Sequence, residues 1–269
     1  MARTPVRHIA GYVALGIALY AAFLLATAPA FWLAEGAARL TDGRITLAAP
    51  SGTLWRGSAE LHAGSDASGI RHLGRLHWRI NPWWLFLGRA HVRVDLAGAA
   101  ARGSAALRVT PKRRIAVDNL TAALPADIAA LVYAPAAFFQ PRGTIELRAP
   151  SVVLSAAGLW TELEVQWQDA GGRFTGPASL GDYRVSVSGE GQTAAIRLDT
   201  LRGDLDLAGQ GQWNVTGDGM LRFNGTATPR GDAARLEPLL RPLGRDLGDG
   251  RRQIRFNTRL PLVQQLGLS

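Results

Sequence analysis

Arg75-Leu76-His77-Trp78-Arg79-Ile80 is the stretch that decides the fold class. Leu76, Trp78 and Ile80 alternate with Arg75, His77 and Arg79. In an extended chain successive side chains point to opposite faces, so this period of two gives a strand one apolar and one wet face. The pattern returns in His91-Val92-Arg93-Val94-Asp95-Leu96. Further along it recurs at Ile145 and Leu147, at Leu163, Val165 and Trp167, at Val185 and Val187, and at Ile196 and Leu198. It continues at Leu205 and Leu207, Trp213 and Val215, and Leu221 and Phe223, with a closing strand at Gln253-Ile254-Arg255-Phe256. Gly171-Gly172, Gly189-Glu190-Gly191 and Gly217-Asp218-Gly219 punctuate the run as turns. Short strands with close turns build an antiparallel meander, whereas parallel βαβ units need long crossovers. The expectation is an all-β protein: a curved, largely antiparallel multi-stranded sheet, partly open, with short helices.

Only two later segments read as helices, Pro125 to Val132 and Asp232 to Leu240, the second followed by Pro242 and Gly244. Each falls near the end of a block of strands. The spacing suggests an approximate duplication, 44–120 and 143–228. Leu163, Val165, Trp167, Leu205, Leu207, Trp213 and Val215 are expected to share one side, which a closed sandwich or barrel buries on protein and a half-open sheet leaves for lipid or a subunit to cover.

Upstream, Ile9 to Leu33 contains no charged residue. At about 1.5 Å per residue, some 20 residues span a hydrocarbon core, so the run predicts one N-terminal transmembrane helix over 9–33. Arg3 and Arg7 precede it and Glu35 follows, which places a short tail, 1–8, in the cytoplasm and a β-rich domain, 34–269, outside it. The expected arrangement is therefore a single-pass inner-membrane protein whose C-terminal domain lies outside the cytoplasm. A cleaved signal with processing near Ala26-Thr27-Ala28, or a buried helix, are the competing readings.

Composition removes several chemistries. The chain has no cysteine, hence neither disulfides nor a thiolate nucleophile. His8, His62, His72, His77 and His91 form no His-x-His pair or His-Glu-x-x-His helix, so no metal site is expected. There is no Gly-x-Ser-x-Gly elbow, and Glu162 and Glu164 read as the wet face of the strand carrying Leu163. No cofactor and no enzymatic activity are expected. The net charge of +9 comes from dispersed arginines around the single lysine, Lys112. An exported domain does not meet nucleic acid, so anionic headgroups or acidic protein segments are the charges left to match.

One motif stands out. Ala49-Pro50-Ser51-Gly52-Thr53-Leu54-Trp55-Arg56-Gly57-Ser58-Ala59, followed by Leu76-His77-Trp78-Arg79-Ile80-Asn81-Pro82-Trp83, resembles the N component of the bacterial type II secretion (general secretion) pathway. Gly176 to Tyr183 and Leu239 to Asp249 resemble the same family. The resemblance implies an accessory inner-membrane component with a structural or interaction role in moving folded periplasmic proteins across the outer membrane. Its implied partners are the other inner-membrane components of that apparatus, and it carries over no catalytic residues. A Gly-Thr-Leu-Trp-x-Gly motif before a Trp strand also resembles the AsmA-like class, which implies lipid binding or transport, with membrane lipids and an apolar lipid ligand as partners. Gly52, Thr53, Leu54, Trp55, Gly57, Trp78, Pro82, Trp83 and Trp84 are the candidate structural or interaction residues. Here Gly52 and Gly57 leave room for the Trp55 ring against a neighbouring strand. Trp83 and Trp84 read as edge packing or an aromatic docking point.

Overall fold

The computed structural model describes residues 6–65, 69–85, 87–112, 114–132, 136–175, 179–230, 236–237, 240, 244–248 and 250–260. Its strands are β1 (Ile45–Gly52), β2 (Arg56–Ser65), β3 (Gly69–Ile80), β4 (Ala90–Ala97), β5 (Arg102–Val109), β6 (Ile115–Pro125) and β7 (Arg142–Ser155). They continue as β8 (Gly158–Gly171), β9 (Gly181–Gly191), β10 (Thr193–Gly203), β11 (Leu205–Asn214), β12 (Met220–Pro229), β13 (Asp246–Gly248) and β14 (Arg251–Arg259). All fourteen form one sheet whose order follows the chain, except that β14 lies between β12 and the short β13. The pairings are antiparallel throughout, as period-two strands joined by tight turns dictate.

Register carries one apolar face through the sheet. Leu76, Trp78 and Ile80 stand opposite Leu96, Val94 and Val92. Ile145 and Leu147 meet Trp167 and Val165, which in turn meet Tyr183 and Val185. Val187 stands beside Ile196, Ala194 beside Trp213, and Trp213 beside Leu221. Leu163, Val165, Trp167, Leu205, Leu207 and Trp213 therefore share a side, and Val215, one residue past β11, joins Trp213 in the same cluster. The opposite face carries Arg75, His77, Arg93, Glu164, Ser186, Arg197, Gln210 and Arg222.

The sheet curls toward its apolar side. Strands β2 and β6 are four places apart, about 19 Å if flat. Yet the turn after β6, a 3₁₀ segment Ala126–Ile128 running into α4 (Ala129–Val132), reaches back to β2 and β3. Arg71 of β3 pairs with Asp127 at 2.8 Å, and Ile128 packs against a cluster of Ala63, Leu73 and Ala101. The helix expected from Pro125 thus exists and acts as a brace across the curve. Most of the helix expected over Asp232 to Leu240 lies outside the described residues, but Leu236 and Leu240 are buried against Tyr183, Leu205 and Ala227.

Covering is incomplete. Full burial is concentrated toward the ends of the strands, whereas Leu76, Leu96, Leu107, Leu147, Val165, Leu198 and Leu207 in the middle are only half-buried. Tyr183 marks a well-covered end: it is 3 % exposed and donates its hydroxyl to the Leu205 carbonyl at 3.0 Å. Burial, with the nearby Asp206, Asp182 and Asp204, raises its pKa well above the usual tyrosine range. The unfolded chain ionises near pH 10 while the folded one does not, so this contribution is complete below about pH 10 and is lost as pH rises further. Tyr183→Phe should cost about 1–3 kcal/mol in urea melts at neutral pH, because the carbonyl is left without its partner. The wild-type loss of stability above pH 10 should shrink in that variant.

The N-terminal expectation needs correction. Among the described residues no helix is long and apolar enough to cross a membrane. The uncharged run from 9 to 33 is two helices rather than one, α1 (Val6–Ala26) and α2 (Phe31–Leu40). The reason is Pro29, which disfavours helix at the residue before it and forms an isolated bridge to Thr53. Ala30 N–H and Leu54 N–H complete this join by donating to the carbonyls of Gly52 and Ala28. Ala30, just before the second helix, and Leu33 and Ala34 within it then pack against Leu47, Ala59 and Trp78 of the sheet. The transmembrane helix, the single-pass inner-membrane placement and the topology built on them are withdrawn. Much of the tail 1–8 lies outside the described residues.

Candidate functional site

The Gly-Thr-Leu-Trp stretch forms the turn between β1 and β2 and fastens the N-terminal helices to the sheet. Gly52, at φ +89°, sits where the Arg56 carbonyl approaches so closely that a side chain would collide. Thr53 N–H donates to that same Arg56 carbonyl at 2.9 Å, closing the turn. The Trp55 ring is half-buried, and its indole N–H donates to the Leu25 carbonyl at 2.8 Å, 30 residues upstream. Leu25 belongs to the last turn of α1, where carbonyls have no partner within the helix, so Trp55 acts as a C-terminal cap.

The ring that fills the space beside Gly57 is Trp78, not Trp55. A Cβ on Gly57 would lie 2.5 Å from Trp78 Cζ2, and Trp78 is 4 % exposed. Its indole N–H is shared between the carbonyls of Thr53 and Leu54, at 3.3 and 3.2 Å. Pairing of Gly57 with Trp78 across β2 and β3 makes this contact. The sequence reading gives this space to Trp55, in the turn; strand pairing gives it to Trp78 instead.

Pro82, Trp83 and Trp84 lie apart from this join, in the short helix α3 (Pro82–Leu85) after β3. Trp84 stacks on His91 of β4 with ring centres 4.7 Å apart, and Arg89 lies over the Trp84 ring. Trp83 is 76 % exposed. The nine candidates thus divide into a fastening, Gly52 to Trp78, and an aromatic tip at Pro82 to Trp84.

Two ionic groups escaped the sequence reading because their members are far apart in the chain. Glu60 accepts from Arg75 Nε at 2.9 Å and lies 2.5 Å from His72 Nε2. His72 and Arg75 together hold the Glu60 carboxyl below the usual range. Its stabilising effect is therefore present above the unfolded pKa, and fades as pH falls through the lowered folded value. An NMR titration of Glu60 should show a midpoint below that of Glu60 in His72→Ala/Arg75→Ala, while global stability changes little because the pair is exposed. At Asp182 burial pulls the pKa upward, but the Arg202 guanidinium and the Asp169 amide outweigh it and leave the carboxyl lowered. Among the described residues no group of His, Cys, Asp and Glu could hold a metal ion.

At one rim, Ala63, Arg71, Leu73, Ile128, Pro141 and Arg173 help to line a cleft of about 580 Å³. Its position reflects the curl that brings β2 and β3 opposite the start of β7. The general form of the molecule is thus a bent sheet with a join at its N-terminal end, an incompletely covered apolar lining and ion pairs that are exposed.

Residues 43–255 match the family model described as type II secretion system (T2SS), protein N. The chain belongs to that family. It is also 32 % identical over 235 residues to a type II secretion system protein N of Klebsiella pneumoniae, covering 83 % of this chain and 84 % of that protein. No solved structure matches it. The matched region runs from just before β1 into β14, so the whole sheet is the family's domain. Membership makes the chain an accessory component of the type II secretion system.

Proposed function

We propose that the chain works as an interaction scaffold, its curved sheet offering the half-covered apolar lining to another component of the secretion apparatus. The observation that carries this reading is the row of half-buried apolar side chains along the middle strands, Leu76, Leu96, Leu147, Val165, Leu198 and Leu207. A lining of this extent, left by the chain's own helices, favours a covering partner over bare solvent. The fastening from Gly52 to Trp78 serves the same role by tying the N-terminal helices to the sheet. The approximate repeats 44–120 and 143–228 would then be two halves of one surface.

A second reading is favoured by the same lining together with the rim cleft. Arg71, paired with Asp127, and Arg173 line it together with Leu73 and Ile128. That combination suits an amphiphile with an anionic head, and would make the protein a lipid binder of the AsmA-like kind. Photo-cross-linking from Val165 and Leu207 in cells with an intact secretion system separates the two. Adducts to secretion components support the scaffold. Adducts to phospholipid at both positions replace it with the lipid reading, and adducts to neither overturn both.

A further inference from the structure

The two ends of the sheet differ in how they are finished. At one end β1 carries Pro50 and a register break between Ala48 and Ser51, with Ala49 in the left-handed region at φ 46°. Proline and bulges are the devices that stop an edge from accepting another strand. At the other end β14 is only partly capped. Gln253 N–H donates outward to the Arg245 carbonyl, and β13 pairs only with Arg251 and Arg252.

Backbone direction beyond that point follows from alternation. Leu260 N–H donates inward to the Gly219 carbonyl, beside β12, so even-numbered residues of β14 face β12 and odd-numbered ones face away. Arg255, Asn257 and Arg259 therefore turn both N–H and C=O outward, and no strand among the described residues pairs with them. All three are exposed. Their side chains lie on the polar face, where Arg222 of β12 stands opposite Asn257. Ile254 and Phe256 lie on the apolar face, with Phe256 45 % exposed and stacked on Phe223. Among the described residues, Asp246 pairs with Arg252, and Asp218 accepts the Met220 N–H in its own turn.

We propose that the free edge of β14 is a strand-addition site for an acidic extended segment of a partner protein. Main-chain bonds to Arg255, Asn257 and Arg259 supply the pairing, and acidic side chains at alternate positions meet Arg222, Arg255 and Arg259. Apolar residues of the added strand extend the lining beyond Phe256. A second copy of this chain fits poorly. A two-fold pairing centred on Asn257 sets Arg255 opposite Arg259 of the second copy, like charge against like charge. Head-to-tail pairing with β1 meets Pro50 and finds no acidic residue in that strand.

The test uses the full chain and two labelled eight-residue peptides, one alternating valine with glutamate, the other valine with arginine. The Val-Glu peptide should bind about tenfold or more tightly than the Val-Arg peptide and slow hydrogen exchange at the amides of Arg255, Asn257 and Arg259. Asn257→Pro removes an outward N–H that pairs with no strand among the described residues, so it should keep the parent melting temperature and lose peptide binding. Arg255→Glu/Arg259→Glu keeps the edge and should reverse the peptide preference, which holds the test open if the proline variant fails to fold. Equal affinity for both peptides, unprotected amides, or self-association through β14 at low peptide would overturn the proposal. Such a failure leaves the cross-linking result at Val165 and Leu207 unaffected, because those residues lie in the lining and not on the edge.

Discussion

Trp78→Ala is expected to lower the unfolding free energy by about 3–5 kcal/mol, the usual cost of removing a large buried aromatic. The ring is 4 % exposed and packs with Ala30, Ala34, Leu47 and Ala59, so its loss opens a cavity where α2, β1, β2 and β3 meet. The Thr53 and Leu54 carbonyls also lose their donor. Filling the gap from Gly57 cannot compensate, since a side chain there meets the Ser51 carbonyl as well as the ring position. Trp55→Ala should cost less, because that ring is half-buried and its specific contact is one hydrogen bond, net about 0.5–1.5 kcal/mol. The two variants also differ in kind. Trp55→Ala should speed hydrogen exchange near the end of α1 while leaving β2 and β3 protected, whereas Trp78→Ala should expose those strands. Urea melts with residue-level exchange decide it, and equal losses in both variants would contradict the assignment of the cavity to Trp78.

Leu205→Ala should cost about 2–5 kcal/mol, while Leu207→Ala, two residues along the same strand and face, should cost less than half as much. Leu205 is 1 % exposed and enclosed by Tyr183, Ala227, Leu236 and Leu240. Leu207 lies toward the middle of the lining and is half-buried. Chemistry, strand and facing are identical, so the difference isolates coverage. If a partner covers the lining in the cell, the gap between the two should narrow in the assembled complex, because both sites would then be enclosed. Equal costs in the isolated chain would mean that the lining is already closed and would remove the physical basis of the scaffold reading.

The strands were legible from the sequence because alternation is local: Leu76, Trp78 and Ile80 declare their facing without reference to any other segment. Turn glycines set the antiparallel order for the same reason, and the shared side of Leu163 through Trp213 follows once the order is known. The family was legible too, in the stretch from Gly52 to Trp78. What failed was the reading of residues 9 to 33, where an uncharged run long enough for one helix is divided by the Pro29 bridge to Thr53. Apolar composition reports that a segment avoids water; it does not report whether another part of the chain has claimed it, and here α2 is claimed by Trp78 and Leu47. Which tryptophan fills the space beside Gly57, how far the sheet curls, and which groups of β14 find no strand among the described residues were likewise decided only in three dimensions. The contacts that decide them join distant positions, as where Arg71 meets Asp127 and Trp55 meets Leu25.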